Sequence, residues 1–149
     1  ILDNKTTAMT GHQPHPGVDQ TMHGENISRV DIEQIVRGCG VQHVRKVKPF
    51  NHKSTLQALE ELKDLSGVRV MISEEPCTLF ARRRLGKRPG QTAYVAEDHR
   101  DVRSCAEQLA CPAFYLEGEN VRINEDQCTG CMLCVQVCPY IKARKRSGQ

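Results

Sequence analysis

The chain has 149 residues, of which 38% are hydrophobic and 26% are charged, and its formal net charge at pH 7 is +3. This composition is typical of a globular protein. The length suits one ordinary domain, or a partial domain followed by a small one that a cofactor stabilises, and we expect the second arrangement. No run approaches the roughly 20 apolar residues that a transmembrane helix requires, so the sequence excludes a membrane span.

The start of the chain carries neither an initiator Met nor the features of a secretory signal, and we expect a cytoplasmic protein. Residues 1–4 resemble the end of a buried strand that runs into a polar loop, which predicts that the chain begins inside a domain. Residues 5–26 show no sustained apolar period and are predicted to form a long loop. Long loops in compact domains often carry function.

The first predicted helix follows this loop. Asp31 is predicted to cap it, and the helix is predicted to end at Gly38 or Gly40. A short strand over residues 44–47 comes next. These two elements begin the ordered part of an α/β layer.

A second helix is capped by Asn51 or Ser54 and carries leucines at every third position from 56 to 65, which are predicted to face the core. A strand is predicted over residues 68–72. The order of strand, helix and strand favours a parallel sheet with a right-handed crossover.

Residues 80–98 contain Gly and Pro, show no core-forming face and are predicted to form a basic linker. The basic clusters at 82–88 and 142–146 have no interleaved aromatic residues. We therefore interpret them as solvated and predict no nucleic-acid partner, with an acidic redox partner as the functional alternative. Residues 113–116 and 121–123 flank a turn-forming segment and predict a β-hairpin.

The chain contains eight cysteines and no export signal, which indicates metal or redox chemistry more than a disulfide framework. Six of them lie in the last third of the chain. Four follow the spacing C-x2-C-x2-C-x3-C-P, from Cys128 through Cys131 and Cys134 to Cys138. This spacing is strongly specific for a 4Fe-4S cluster, because three thiolates so close together can bind three corners of a cubane. A structural zinc site is the weaker alternative, since zinc knuckles usually join two separated Cys pairs.

The fourth cluster ligand has to be identified separately. In two-cluster ferredoxins the last cysteine of each run ligates the other cluster. Cys111, followed by Pro, ends an earlier copy of the run in which His99 and Val102 occupy two of the ligand positions. We therefore predict that Cys111 completes the cluster of the later run, and that Cys105 and Cys138 remain beside a degraded first site. Two alternatives stay open: Cys138 as the fourth ligand, and a second cluster completed by His99 with an outside ligand.

Two blocks of sequence carry a resemblance to a known family. They are residues 2–17, LDNKTTAMTGHQPHPG, and residues 109–113, LACPA, with the cysteine run behind them. Together they resemble the C-terminal part of the large subunit of indolepyruvate:ferredoxin oxidoreductases, within the thiamine-diphosphate-dependent 2-oxoacid:ferredoxin oxidoreductases. The resemblance covers nearly the whole chain.

The resemblance implies cofactor contacts near the start of the chain. In that family an Asn at a strand end and a backbone carbonyl two residues later ligate Mg²⁺, and the matching positions are Asn4 and Thr6. Mg²⁺ prefers such oxygen ligands. A loop beside thiamine diphosphate is matched by Met9, Thr10 and Gly11, followed by His12 where the family has a second Gly.

The fold class implied is α/β, a partial thiamine-diphosphate-binding layer followed by a small α+β ferredoxin-like iron–sulfur domain. We place the thiamine-diphosphate part at residues 1–79, the linker at 80–98 and the iron–sulfur domain at 99–149. The Gly-Asp-Gly-type segment and the activating Glu of the family do not occur in this sequence. We therefore assign no catalytic residue and expect the chain to be inactive alone.

The function implied is the oxidative decarboxylation of aryl 2-oxo acids. In that family coenzyme A accepts the acyl group, and electrons pass through the cluster to ferredoxin or another redox acceptor. A smaller catalytic subunit is the implied partner. The alternative from a different class is a stand-alone ferredoxin-like electron carrier of a larger redox complex, without thiamine chemistry.

Overall fold

The computed structural model describes residues 1–21, 23–25, 28–83, 86, 89–97 and 99–146. The chain divides into two compact units, residues 1–87 and residues 88–149. The mixture of helices and strands confirms the predicted α/β class. The order of elements is β1 (Leu2–Asp3), a helical turn of the 3-10 type (Ala8–Thr10), β2 (Gln20–Thr21), β3 (Gly24–Glu25), α1 (Ile32–Gly38), β4 (His43–Val47), α2 (His52–Lys63), β5 (Arg69–Glu74), α3 (Thr78–Arg83), β6 (Gln91–Val95), α4 (Asp101–Leu109), β7 (Phe114–Glu117), β8 (Asn120–Ile123), α5 (Leu133–Val137) and β9 (Ile141–Lys145).

A three-stranded parallel sheet in the order β1-β5-β4 forms the centre of the first unit, as predicted. The register places Asp3 opposite Glu74 and Val47 opposite Ser73, so the carboxyl ends of the three strands share one edge. Val36, from α1, belongs to the hydrophobic core that this sheet helps to form. Ligands of open α/β sheets bind outside the carboxyl ends of the strands, which makes this edge the expected cofactor side.

Side-chain caps determine where α1 and α2 begin. The Asp31 carboxylate accepts hydrogen bonds from the amides of Glu33 and Gln34, at 2.8 and 3.2 Å. The Asn51 side chain accepts one from the amide of Ser54, at 3.1 Å. Both caps satisfy amides that have no partner within the helix. The predictions for the starts of both helices are therefore confirmed.

The prediction that the leucine stripe of α2 faces the core is wrong for two of its members. Leu62 is buried, but Leu56 and Leu59 are 45% and 46% exposed. The buried face of α2 consists of Ala58 and Leu62 instead. Because a helix turns every 3.6 residues, side chains repeated every three residues drift around its axis and cannot share one face.

Two antiparallel pairs build the second unit: the predicted hairpin β7-β8, and β6 with β9. Its core consists of Ala93, Cys138 and Ile141, each 1% exposed. Strand β6 lies inside segment 80–98, so the expectation of a linker is incorrect for residues 91–95. The run Thr, Ala, Tyr and Val has strand character, but its partner lies at the far end of the chain.

Parts of the predicted loop, linker and tail lie outside the described residues, namely 22, 26, 84, 85, 87, 88, 98 and 147–149. The rest of the predicted loop contains the 3-10 turn and the two-residue strands β2 and β3. Among the described residues, none of the helices combines the length and the apolar character that crossing a bilayer would require.

A partly buried ion-pair cluster ties the end of β1 to β5. The Lys5 ammonium lies 2.6 Å from Asp3 Oδ2 and 2.6 Å from Glu74 Oε1. Lys5 has the left-handed φ of +56°. The hydrogen bond from Lys5 lowers the pKa of Glu74 below its ordinary value of 4.5. Burial alone would lower the pKa of Lys5, but its hydrogen bonds to Asp3 and Glu74 outweigh burial and raise it.

We predict that Lys5→Met loosens this strand end. The lowered pKa of Glu74 means that its contribution to stability is present above pH 4.5 and is lost as the pH falls through the lowered value. Hydrogen exchange of residues 4–10 in the full-length protein, corrected for intrinsic rates, should therefore accelerate below that pH. In Lys5→Met exchange should already be faster at pH 7, and the acid response should be smaller. Lys53→Met, on the exposed face of α2, is the control.

Candidate metal centre and cofactor loop

The cysteine loop is anchored on the hairpin that precedes it. The amide of Asn124 donates to the carbonyl of Ala113 at 2.8 Å, and the amide of Cys128 donates to the carbonyl of Asn124 at 3.0 Å. The Asn124 side chain accepts from the amide of Asp126 at 2.9 Å, which forms a turn typical of Asn. The hairpin thus determines where the first cysteine of the run lies.

Gly130 lets this loop approach β6 closely. Its φ is +72°, and a Cβ atom placed there would lie 2.2 Å from Pro89 Cβ and 3.0 Å from the Gln91 carbonyl oxygen. A side chain is therefore excluded by both conformation and space.

The Cys128 thiol is surrounded by hydrogen-bond donors. Burial by itself raises the pKa of Cys128, but hydrogen bonds from the backbone amides of Ala93 and Gly130 lower it. The Thr92 side chain and the charge of Arg146 act in the same direction, and the net result is a pKa below the ordinary value of Cys. The site thus favours the thiolate, which is the form that binds metal.

Cys134 is the thiol on which the charges of the other predicted ligands act. Burial raises the pKa of Cys134 to about 11. Negative charge on three further thiols contributes to this increase, those of Cys131, Cys128 and Cys111. Cys111 reaches this group because Ala110, with a φ of +45°, ends α4 in a left-handed turn. The four thiols are the set predicted as cluster ligands, and we call them the crossed ligand set.

Cys105 and Cys138 interact with each other beside the core cluster against which Cys128 and Cys134 also pack. Burial raises the pKa of Cys105 to about 11, and its hydrogen bond with Cys138 contributes to the increase. Cys138 is 1% exposed, and Cys105 packs against the same core cluster. This pairing supports the crossed ligand set over the alternative in which Cys138 is the fourth ligand.

The other two ligand positions of the degraded first cluster site are occupied by Val102 and His99, whose side chains pack within the unit. Val102 is 2% exposed. The imidazole of His99 stacks on the Tyr140 ring, with centroids 4.2 Å apart and an interplanar angle of 11°. A buried aliphatic side chain and a stacked ring support the prediction that the first site is degraded.

Arg146 brings a cationic group to the cysteine loop. Its Nη2 donates to the carbonyl oxygen of Cys128 at 2.5 Å. Its Nε is buried and, within the described part of the chain, has no hydrogen-bond partner. A sulfur anion beside Cys128 is an acceptor that would satisfy such a donor.

Three observations agree with a 4Fe-4S cluster: the charges of the predicted ligands act on Cys134, amides donate to Cys128, and the buried Nε of Arg146 has no acceptor among the described residues. Among the residues that the structure describes, no group of three or more His, Cys, Asp or Glu side chains is arranged to hold a metal ion. The assignment of individual ligands stays a prediction.

The thiamine-diphosphate loop begins at the cofactor edge of the parallel sheet. Asn4 follows β1, and its carbonyl accepts from the amide of Cys77 at 2.9 Å. Thr6 is 6% exposed, and its hydroxyl donates to the carbonyl of Gln13 at 3.3 Å. The amide of Thr7 donates to the same carbonyl at 2.9 Å. These contacts fold the loop back on itself beside the strand end.

The other predicted cofactor contacts lie at the turn of this loop. Met9 is 98% exposed and Gly11 has a φ of +107°. The hydroxyl of Thr10 donates to Gln13 Oε1 at 2.8 Å. His12, the residue that departs from the family pattern, places Nε2 3.8 Å from the Sγ of Cys77. The predicted contacts thus share one loop, and their role in cofactor binding stays a prediction.

Sequence reasoning missed the residues that approach the cysteine loop from other strands. Thr92 and Ala93 belong to β6, and Arg146 follows β9. All three fell in segments interpreted as a linker or a solvated tail. The only local signal was the short run of strand-forming residues from Thr92 to Val95.

Comparison with known proteins identifies both parts of the chain. Residues 121–140 match the model of the 4Fe-4S binding domain, and residues 1–72 match that of the C-terminal TPP binding domain of thiamine pyrophosphate enzymes. The two matches confirm the predicted combination of a thiamine-diphosphate domain and an iron–sulfur domain in one chain.

The curated relatives indicate which kind of thiamine pyrophosphate enzyme the chain resembles. The indolepyruvate oxidoreductase subunit IorA of Archaeoglobus fulgidus is 44% identical over 142 residues, which cover 93% of this chain and 22% of that protein. The subunit IorA of Methanothermobacter marburgensis is 40% identical over 140 residues, with the same coverage. That of Thermococcus kodakarensis is 36% identical over 147 residues, 94% of this chain and 22% of the relative.

These similarities confirm the resemblance to the large subunit of indolepyruvate oxidoreductases. The chain spans about a fifth of the length of the curated relatives it matches, 22% in each case. No solved structure gave a significant match to the chain.

We predict that Gly130→Ala prevents normal cluster incorporation, because the added Cβ would collide with Pro89. Gly118→Ala is a matched control, since Gly118 has a similar φ of +64° but a Cβ atom added there would meet nothing within 4 Å. Iron and acid-labile sulfide, measured after anaerobic purification, should fall in the first variant and stay near the wild-type value in the second. Equal contents in both variants would contradict the close approach.

We predict that Cys111→Ala empties the cluster site while Cys138→Ala leaves it filled, because Cys111 belongs to the group around Cys134 and Cys138 pairs with Cys105. The two variants are compared side by side for iron content, acid-labile sulfide content and absorbance at about 400 nm, where cubane thiolate clusters absorb. The reverse result would show that the run supplies all four ligands locally.

Proposed function

We propose that this chain is the electron-transferring C-terminal portion of an oxidoreductase that decarboxylates aryl 2-oxo acids oxidatively with thiamine diphosphate. The observation that carries the proposal is the cysteine run, which lies in the segment that matches the 4Fe-4S binding domain and in which the charges of Cys111, Cys128 and Cys131 act on the half-buried Cys134. Four thiols in this arrangement suit a cubane cluster, and the adjoining thiamine-diphosphate segment supplies the context for its use.

In this proposal the cluster, when bound, accepts and releases single electrons. The chain's own residues hold it and adjust its surroundings. The thiolates of the crossed ligand set bind the irons, while the amides of Ala93 and Gly130 donate to the sulfur of Cys128. Such hydrogen bonds and the exclusion of water are the means by which a protein adjusts an iron–sulfur potential.

The loop after β1 would hold the diphosphate end of the second cofactor. Asn4 and the carbonyl of Thr6 would ligate Mg²⁺, and the turn formed by Met9, Thr10 and Gly11 would lie against thiamine diphosphate. The support is positional, because the loop leaves the carboxyl edge of a parallel sheet. The ion-pair cluster around Lys5 holds that strand end in place.

The proposed partners follow from the same function. A smaller catalytic subunit would complete the enzyme, coenzyme A would accept the acyl group, and ferredoxin or another redox acceptor would take the electrons. The relatives are named as oxidoreductase subunits, which supports a multi-subunit enzyme. The competing function is a stand-alone electron carrier without thiamine chemistry. The two functions differ in whether the first unit binds thiamine diphosphate.

We predict that Asn4→Ala weakens Mg²⁺-dependent binding of thiamine diphosphate at least about tenfold, since the loss of even an outer partner of a metal ligand costs 10–100-fold in affinity. Binding is measured by titration calorimetry on the full-length protein with its partner subunit. Asn120→Ala, at the exposed hairpin turn, is the control. Unchanged affinity in Asn4→Ala would contradict the predicted Mg²⁺ ligand, and absence of thiamine diphosphate binding in the wild type would favour the electron carrier.

A further inference from the structure

Arg146 is the basic side chain that the structure brings to the first cysteine of the run. Its backbone amide donates to the carbonyl of Gly90 at 3.2 Å, which continues the pairing of β6 and β9 by one residue. Its Nη2 donates to the carbonyl oxygen of Cys128 at 2.5 Å. The backbone of Arg146 is therefore anchored beside β6, and its guanidinium is anchored at the cysteine loop.

The charge of Arg146 acts on the Cys128 thiol. It is one of the influences that lower the pKa of Cys128, together with the amides of Ala93 and Gly130. The buried Nε, which has no hydrogen-bond partner among the described residues, adds a donor at the same place. A guanidinium stays charged at any pH at which the protein is folded.

Arg144, which lies within β9, provides a contrast. It forms an ion pair with Glu125, its side chain is 53% exposed, and its guanidinium lies 5.2 Å from the centroid of the Tyr94 ring. Its charge is thus balanced by a carboxylate and screened by water. Two arginines at the same end of the chain therefore differ in their effect on the cysteine loop.

We propose that Arg146 is a positioning residue that raises the reduction potential of the cluster through Cys128. Adding an electron to a cluster held by thiolates increases its negative charge, and a nearby fixed cation stabilises that reduced form. Hydrogen bonds toward the cluster sulfurs act in the same direction. The proposal rests on the proposed function, because it requires Cys128 to be a cluster ligand.

The test uses the full-length protein with its partner subunit, purified anaerobically, and the variants Arg146→Gln, Arg146→Lys and Arg144→Gln. The measured quantity is the midpoint potential, from redox titration followed by electron paramagnetic resonance. At the wild-type midpoint the ratio of reduced to oxidised cluster should fall about tenfold in Arg146→Gln, which corresponds to about 59 mV for one electron. Arg146→Lys, which keeps the charge, and Arg144→Gln should both stay within about twofold of the wild type.

The iron and sulfide contents show whether a negative result contradicts the inference about Arg146 or the proposed function. A filled cluster whose potential is the same in Arg146→Gln and the wild type would overturn this inference alone. An equal shift in Arg144→Gln would also overturn it, because any surface charge would then suffice. If Arg146→Gln does not retain the cluster, Arg146→Met, which keeps the aliphatic packing, is titrated in its place against the same expectation. A wild type without iron and sulfide would overturn the proposed function and this inference together.

Discussion

The partial burial of Cys134, on which the charges of three other thiols act, is the constraint on which the second unit depends. Neighbouring thiolates repel one another, and the pKa of Cys134 rises to about 11 as a result of burial and of that repulsion. A metal cluster would supply the positive charge that makes four thiolates compatible. Because the second unit is small, residues 88–149, binding of the cluster would also contribute to folding.

In the second unit, neighbouring cysteine sulfurs lie in different electrostatic environments. Cys128 receives amide hydrogen bonds and a nearby cation and has a lowered pKa, whereas Cys134 has a raised one. The difference arises because donors from β6 and from the residue after β9 act on Cys128, whereas burial and the charges of other thiols dominate at Cys134. Donors that surround one ligand sulfur more than another provide a physical basis for adjusting the reduction potential of a cluster without changing its ligands.

In the first unit, electrostatics act on the backbone instead of on a metal ligand. Lys5 adopts a left-handed conformation that costs free energy, and its two ion pairs with Asp3 and Glu74 offset that cost. The conformation turns the chain sharply after β1, so that Asn4 and Thr6 lie on a loop at the carboxyl edge of the sheet. A strand end held in this way suits a site that has to present oxygen atoms to a cation and a diphosphate.

The sequence by itself determined the features that depend on neighbours along the chain. The caps at Asp31 and Asn51, the hairpin and the cysteine spacing are local, since each involves residues a few positions apart. Only the tertiary structure decided that β6 pairs with β9, that Leu56 and Leu59 stay exposed, and that Arg146 reaches Cys128. The physical reason is that contacts between distant segments depend on how whole elements pack, and no local pattern of residue types specifies which strand will be the partner.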